Sequence, residues 1–192
     1  MNIVCLLGSP RPQGNSAIVA KRFCDTAEGL GSEVKTFALN KLKYRGCQAC
    51  MTCKTRLDRC VLKDDLSDVL EAVRESDILV IASPTYYGDL SSQLKAFIDR
   101  TFSFLVPDYQ TNPNPCRINP GKKLVFIQTQ AEPDENAFSD VFPRYEAFFK
   151  WYGFDGTHLI RACGVVDAGE VETHKDILSL AEETAKTILK QP

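Results

Sequence analysis

The chain has 192 residues, 44% hydrophobic and 25% charged, an ordinary globular composition that can bury a core without disulfide or metal staples. Lys and Arg total 23 against 25 Asp and Glu, a formal charge of −2, which leaves no electrostatic footprint for nucleic acid or acidic lipid as the main partner. The apolar run Ile3–Leu7 stops at Gly8; it is too short for a secretory signal, and no stretch reaches bilayer length, so the expectation is a cytoplasmic protein without a membrane segment.

In chain order, apolar and β-branched runs predict strands at Ile3–Leu7, Val34–Leu39, Ile78–Ala82, Leu124–Thr129 and His158–Val166. Between them lie stretches with helical spacing: Val19, Phe23, Ala27 and Leu30; then Leu66, Val69, Leu70 and Val73 after a capping-type Asp65; then Leu94, Phe97, Ile98 and Phe102. A fourth runs from Phe138 to Tyr152, with Pro143 tolerable only near its first turn, and the last carries Leu178, Ala181, Ala185 and Ile188. Strands alternating with helices predict an α/β fold, a doubly wound five-stranded parallel sheet in the order 2-1-3-4-5 with helices on both faces. One domain is expected over residues 1–192, with two insertions: a cysteine-rich loop at 44–63 and a Pro-rich loop at 106–121, the latter a candidate lid, binding loop or oligomer contact. In this topology ligands bind at the carboxyl ends of strands 1 and 3, where the winding reverses.

Two loops meet at that point. Gly8-Ser9-Pro10-Arg11-Pro12-Gln13-Gly14-Asn15-Ser16 leads into the first helix, whose free N–H groups and dipole favour an anion, with Ser9, Asn15 and Ser16 as short donors and Arg11 as fixed charge. The plainer reading is a polar turn in which Asn15 or Ser16 caps the helix. Ser83-Pro84-Thr85-Tyr86-Tyr87-Gly88 follows the third strand. Pro84 and Gly88 shape a turn that a flat ring can approach, and the tyrosines offer stacking faces; alternatively they simply pack on the fold. Together the loops suggest a phosphate-bearing aromatic cofactor.

Eight cysteines occur. Cys5, Cys24 and Cys163 sit in apolar or small-residue surroundings, where cysteine is usually a buried hydrophobe, and Cys116 lies among prolines. Cys47, Cys50, Cys53 and Cys60 spell C-x2-C-x2-C-x6-C, three cysteines at successive three-residue steps that suit an iron–sulfur cubane better than the separated knuckles of structural zinc. Zinc, and free thiols or a disulfide, remain the alternatives. His158 and His174 build no triad, a helix N-terminus accounts for Asp64-Asp65, and Asp99-Arg100 reads as a helix-surface ion pair or oligomer contact. No catalytic residue is assigned.

Gly8-Ser9-Pro10-Arg11 with Gly14-Asn15-Ser16, then Ser83-Pro84-Thr85-Tyr86-Tyr87-Gly88, then Leu94-Lys95-Ala96-Phe97-Ile98-Asp99-Arg100 resemble the flavodoxin-like NADPH-dependent FMN reductase family and, with the cysteine motif, its iron–sulfur flavoproteins. The resemblance implies FMN, with its phosphate on Ser9, Arg11, Asn15, Ser16 and the Ala17 amide, and its isoalloxazine ring against Pro84, Thr85, Tyr86, Tyr87 and Gly88. Thr129, Gln130 and Ala131 form a third contact loop by topology. It further implies a 4Fe–4S cluster on Cys47, Cys50, Cys53 and Cys60, NAD(P)H, a quinone or a ferredoxin-like protein as electron donor or acceptor, and a homodimer or homotetramer. Two alternatives stand beside this redox reading: a cluster-free NAD(P)H-dependent FMN or quinone reductase, and a zinc-binding interaction domain with no enzymatic activity.

Overall fold

Uninterrupted apolar strands can be buried on both faces only if helices cover both sides of their sheet, and this chain does so. The computed structural model describes residues 1–190. Its strands are β1 (Asn2–Leu7), β2 (Glu33–Ala38), β3 (Ile78–Tyr86), β4 (Asp89–Leu90), β5 (Lys122–Thr129) and β6 (Phe154–Ala162). Its helices are α1 (Asn15–Gly29), α2 (Thr52–Thr55), α3 (Leu66–Glu75), α4 (Ser92–Arg100), α5 (Val141–Trp151) and α6 (Lys175–Lys190). The long strands are all parallel in the order β2-β1-β3-β5-β6, the expected order once the two-residue β4, antiparallel to the end of β3, is set aside.

Alternate residues of each central strand feed opposite cores. Val4, Leu6, Leu79, Ile81, Leu124 and Phe126 face one core with α3, α4 and α5. Ile3, Cys5, Ile78, Val80, Val125 and Ile127 face the other with α1 and α6. Cys5 and Cys24 are buried in this second core as free thiols, as expected, whereas Cys163 is only half-buried.

The last strand spans Phe154–Ala162, not His158–Val166. Gly153 (φ +92°) ends the preceding helix so that Phe154 can pair with Lys122, and Gly164 (φ +71°) turns residues 163–166 away from the sheet. The cysteine loop contains the short helix α2, which has no apolar period to announce it. Asp65 makes no capping bond to α3; its carboxylate accepts the Lys43 N–H at 2.7 Å, while Asp64 accepts Arg100 Nη1 at 2.6 Å. Arg100 is therefore not half of a surface pair: its side chain is fully buried, and Asp99 pairs instead with Lys95.

The Pro-rich segment at 106–121 packs on its own flanks and on α5. Val106 N–H donates to Pro115 O at 2.9 Å and Arg117 N–H to Phe104 O at 2.7 Å, folding the loop back on itself. Tyr109 wedges between Phe102 and Trp151, with ring centroids 5.6 and 5.5 Å away.

Candidate functional site

Three loops at the carboxyl ends of β1, β3 and β5 line one cavity of about 230 Å³. The first gives Ser9, Arg11, Gly14, Asn15 and Ser16, the second Pro84, Thr85 and Tyr86, the third Thr129, Gln130 and Ala131. Val165 and Val166, beyond β6, close the remaining wall. Sequence reasoning missed these two because it ran the last strand through them. Ala17, Tyr87 and Gly88 do not line the cavity. A larger groove of about 450 Å³ lies along β1, β2 and α3, where the acidic Glu33, Asp68, Glu71 and Glu75 outnumber its one cation, Lys35.

Arg11 is the one charged residue on the cavity wall, and its surroundings suit an anion. Gly14 caps α1, and the N–H groups of Asn15 and Ser16 have no acceptor among the described residues. The Ser16 hydroxyl is 1% exposed and has no hydrogen-bond partner among the described residues, a costly state for a buried polar group. Free amides, an orphaned hydroxyl and a guanidinium together form an anion cradle. Gly14 is required by space: a Cβ there would stand 2.6 Å from Ser9 Oγ and 3.2 Å from Arg11 O. Two donors are already committed. The Ala17 N–H donates to Gly14 O at 2.9 Å. The Asn15 amide gives Nδ2–H to Asp167 O at 2.9 Å and accepts Val171 N–H at 3.1 Å, so this side chain ties the 165–171 segment to α1 and only its backbone N–H faces a ligand. Glu170 braces the same segment by accepting the Val166 and Asp167 N–H groups, which hold its carboxyl below the usual value. Arg11 reaches across to Val166 O at 3.1 Å.

The second wall is a hairpin rather than a loose loop. β3 runs on through Tyr86, and positive φ at Tyr87 (+49°) and Gly88 (+76°) reverses the chain into β4, the torsions of a two-residue type I′ turn. Tyr87 is thereby thrown fully into solvent. Asp89 anchors the hairpin to α5, accepting the Tyr145 hydroxyl at 2.7 Å and pairing with Arg144 at 3.3 Å. Desolvation alone would raise the Asp89 carboxyl, but bonds from Tyr145 and the Leu90 N–H, with the Arg144 charge, hold it below its ordinary value. Thr85 Oγ1 accepts Gln128 Nε2–H at 3.1 Å. In the third wall the Gln130 side chain is spent within the fold, donating to Glu132 O of its own loop at 3.0 Å and accepting Arg161 Nη2–H from β6 at 2.8 Å.

Cys47, Cys50, Cys53 and Cys60 all line a second, almost wholly apolar pocket, floored by Arg100, Phe102 and Ser103. Left-handed backbone at Ala49 (φ +51°) and Met51 (φ +56°) folds the loop so that these cysteines face one space; such strain in residues other than glycine gathers at functional sites. Hydrogen bonds from the Thr52 side chain and backbone pull the Cys50 thiol below its ordinary value. Among the described residues no three His, Cys, Asp or Glu converge as the ligands of a single metal ion. The four cysteines share the lining of this one pocket, and four thiolates are the donor count that either an iron–sulfur cubane or a structural zinc ion uses. Lys54 is 8% exposed and lies 3.7 Å from Cys53 Sγ, donating to Phe102 O at 2.6 Å and Leu105 O at 2.8 Å. Arg117 Nη2–H donates to Cys53 O at 3.1 Å, and Nη1–H to Ser103 O at 2.9 Å.

Fold and site define a doubly wound α/β protein with its ligand cleft at the switch point of the sheet. The model of the family "NADPH-dependent FMN reductase" matches residues 1–131, a span that contains all three cavity loops and the cysteine motif, and the chain belongs to that family. Over 104 residues it is 36% identical to an iron-sulfur flavoprotein of Archaeoglobus fulgidus, covering 54% of this chain and 47% of that protein. Over 101 residues it is 31% identical to an iron-sulfur flavoprotein of Methanocaldococcus jannaschii, covering 53% and 52%. The chain spans about half the length of the curated relatives it matches. The fold is shared with an FMN-dependent NADH-azoreductase from Bacillus anthracis solved with FMN (TM-score 0.75, 16% identity, 98% of this chain and 99% of that one). It is shared equally with an NAD(P)H:quinone oxidoreductase from Methanothermobacter marburgensis (TM-score 0.75, 15% identity, 100% and 98%). No helix among the described residues is long and apolar enough to cross a membrane.

Proposed function

We propose that this chain is a flavin-dependent oxidoreductase that binds FMN in the three-loop cavity and a 4Fe–4S cluster on Cys47, Cys50, Cys53 and Cys60. The observation that carries the FMN reading is the anion cradle: a buried Ser16 hydroxyl without a partner, beside free amides at the start of α1 and the cavity's one cation. Bound there, FMN would supply two-electron exchange with a hydride donor such as NAD(P)H or with a quinone, and one-electron exchange with an iron–sulfur centre. The chain's own task is placement. Ser9, Arg11, Ser16 and the Asn15 and Ser16 amides hold the phosphate, Pro84, Thr85 and Tyr86 orient the ring, and Thr129 to Ala131 with Val165 and Val166 exclude water. No proton-transfer residue is required of the chain, in keeping with a cofactor that carries the chemistry itself.

The cluster reading is supported by the four cysteines on one pocket and by the names of the curated relatives. A ferredoxin-like protein would then exchange single electrons with this centre. A cluster-free quinone reductase is the second reading, favoured by the structural likeness to an azoreductase and a quinone oxidoreductase. An anaerobic absorption spectrum with iron and sulfide analysis separates them. Flavin bands overlaid on a broad iron–sulfur absorbance, with iron and sulfide in equal amounts, support the cluster. Flavin bands alone support the reductase, and a colourless chain that takes up no added FMN contradicts both.

A further inference from the structure

Lys54 occupies a position that hydrogen bonding alone does not explain. Its ammonium is buried against Cys53 and lies 4.0 Å from the centre of the Phe102 ring, and its oxygen partners are the carbonyls of Phe102 and Leu105. Beside it, Arg117 also ends on carbonyls, those of Cys53, Ser103 and Leu105. Neither cation has a carboxylate within ion-pair reach among the described residues, whereas Arg100, on the floor of the same pocket, has Asp64 at 2.6 Å. A buried charge such as that of Lys54 is expensive without a counter-ion, and the half-buried guanidinium of Arg117 beside it adds to the repulsion. The negative charge missing from this corner is what four thiolates around an iron–sulfur core would bring, since such a centre carries net negative charge and its potential responds to the charge around it.

We propose that Lys54 and Arg117 are the charge-setting residues of the four-cysteine pocket, compensating an anionic metal–thiolate group and holding its potential up. This rests on the cluster reading above. The competing role is structural: Lys54 could serve only to satisfy the carbonyls that end the turn after α4, where a cation is favourable. Lys54→Gln separates the two, because the amide keeps a donor and loses the charge.

The experiment reconstitutes the full chain anaerobically with iron and sulfide and titrates the cluster potential by absorbance. It also follows iron loss to a chelator and melts the metal-free chain. Failure of the wild type to take up iron and sulfide sinks the cluster reading itself, and this inference with it. If the wild type loads, K54Q should titrate at a lower potential and lose iron several-fold faster, while its metal-free form melts at or above the wild-type temperature. K54Q that folds but does not load supports the same assignment, and K54R should restore loading. A wild-type potential and release rate in K54Q, or equal destabilisation of the metal-free and loaded forms, overturns it. If K54Q does not fold, Arg117→Gln carries the test: a lowered potential supports the assignment, an unchanged one contradicts it.

Discussion

Arg11 is the residue on which recognition of a phosphate depends most, and it is exposed, so its loss should cost the fold little. Arg11→Ala removes a charge-assisted bond worth about 1.5–3 kcal/mol. FMN affinity should fall by about tenfold or more with the melting temperature unchanged, as read by fluorescence titration and thermal denaturation. Unchanged affinity would remove Arg11 from the site. Gly14→Ala tests the same cradle from the backbone: its new methyl would collide with Ser9 Oγ and press on Arg11 O. Crowding of this kind typically costs about 1–3 kcal/mol, so FMN retention should drop in a variant whose circular dichroism is that of the wild type. The residue types of this loop were readable from its sequence, but the allocation of their donors was not. Asn15 is drawn away by Asp167 and Val171, and Ala17 by the helix itself; such long-range or conformational commitments leave no local signature.

At the scale of elements, the hairpin that presents Pro84 to Tyr86 is held by Asp89 on Tyr145 and Arg144. Tyr145→Phe should cost about 1–2 kcal/mol and weaken FMN binding by loosening that wall; a variant with wild-type stability in urea would show the bond to be idle. The pH dependence has a definite sign. Because the folded carboxyl of Asp89 is held below its ordinary value of 3.8, its contribution is complete above the unfolded value and is lost as pH falls through the folded one. Stability should therefore decline in acid less steeply in Asp89→Asn than in the wild type, as followed by denaturation between about pH 5 and pH 2. The Asp64–Arg100 pair anchors the other loop. Asp64→Asn leaves the buried guanidinium without its counter-charge, which should cost about 3–5 kcal/mol and loosen the cysteine segment to proteolysis. This pair was invisible in the sequence, where Asp64 sat beside a helix start and Arg100 beside an acidic neighbour, because the partners lie on elements 36 residues apart.

At the scale of the whole molecule, strand order was legible because central strands buried on both faces show as unbroken apolar runs and parallel crossovers admit few topologies. The frame of the last strand was not, because Asp155 and Gly156 disguise its start as a loop and Val165 and Val166 disguise a turn as sheet. That frame shift also hid the fourth wall of the cavity. The two pockets lie toward opposite ends of α4: Ser91 and Leu94 pack beneath Gly8 at the cradle side, and Arg100 floors the cysteine pocket. Nine helical residues span about 13 Å. Flavin binding in the three-loop cavity is tested most directly by comparing FMN with riboflavin in fluorescence titrations of the flavin-free chain. FMN should bind stoichiometrically and riboflavin at least tenfold more weakly, since only FMN carries the phosphate that the cradle is built to hold. Equal affinity for the two, or no binding of FMN, would contradict it.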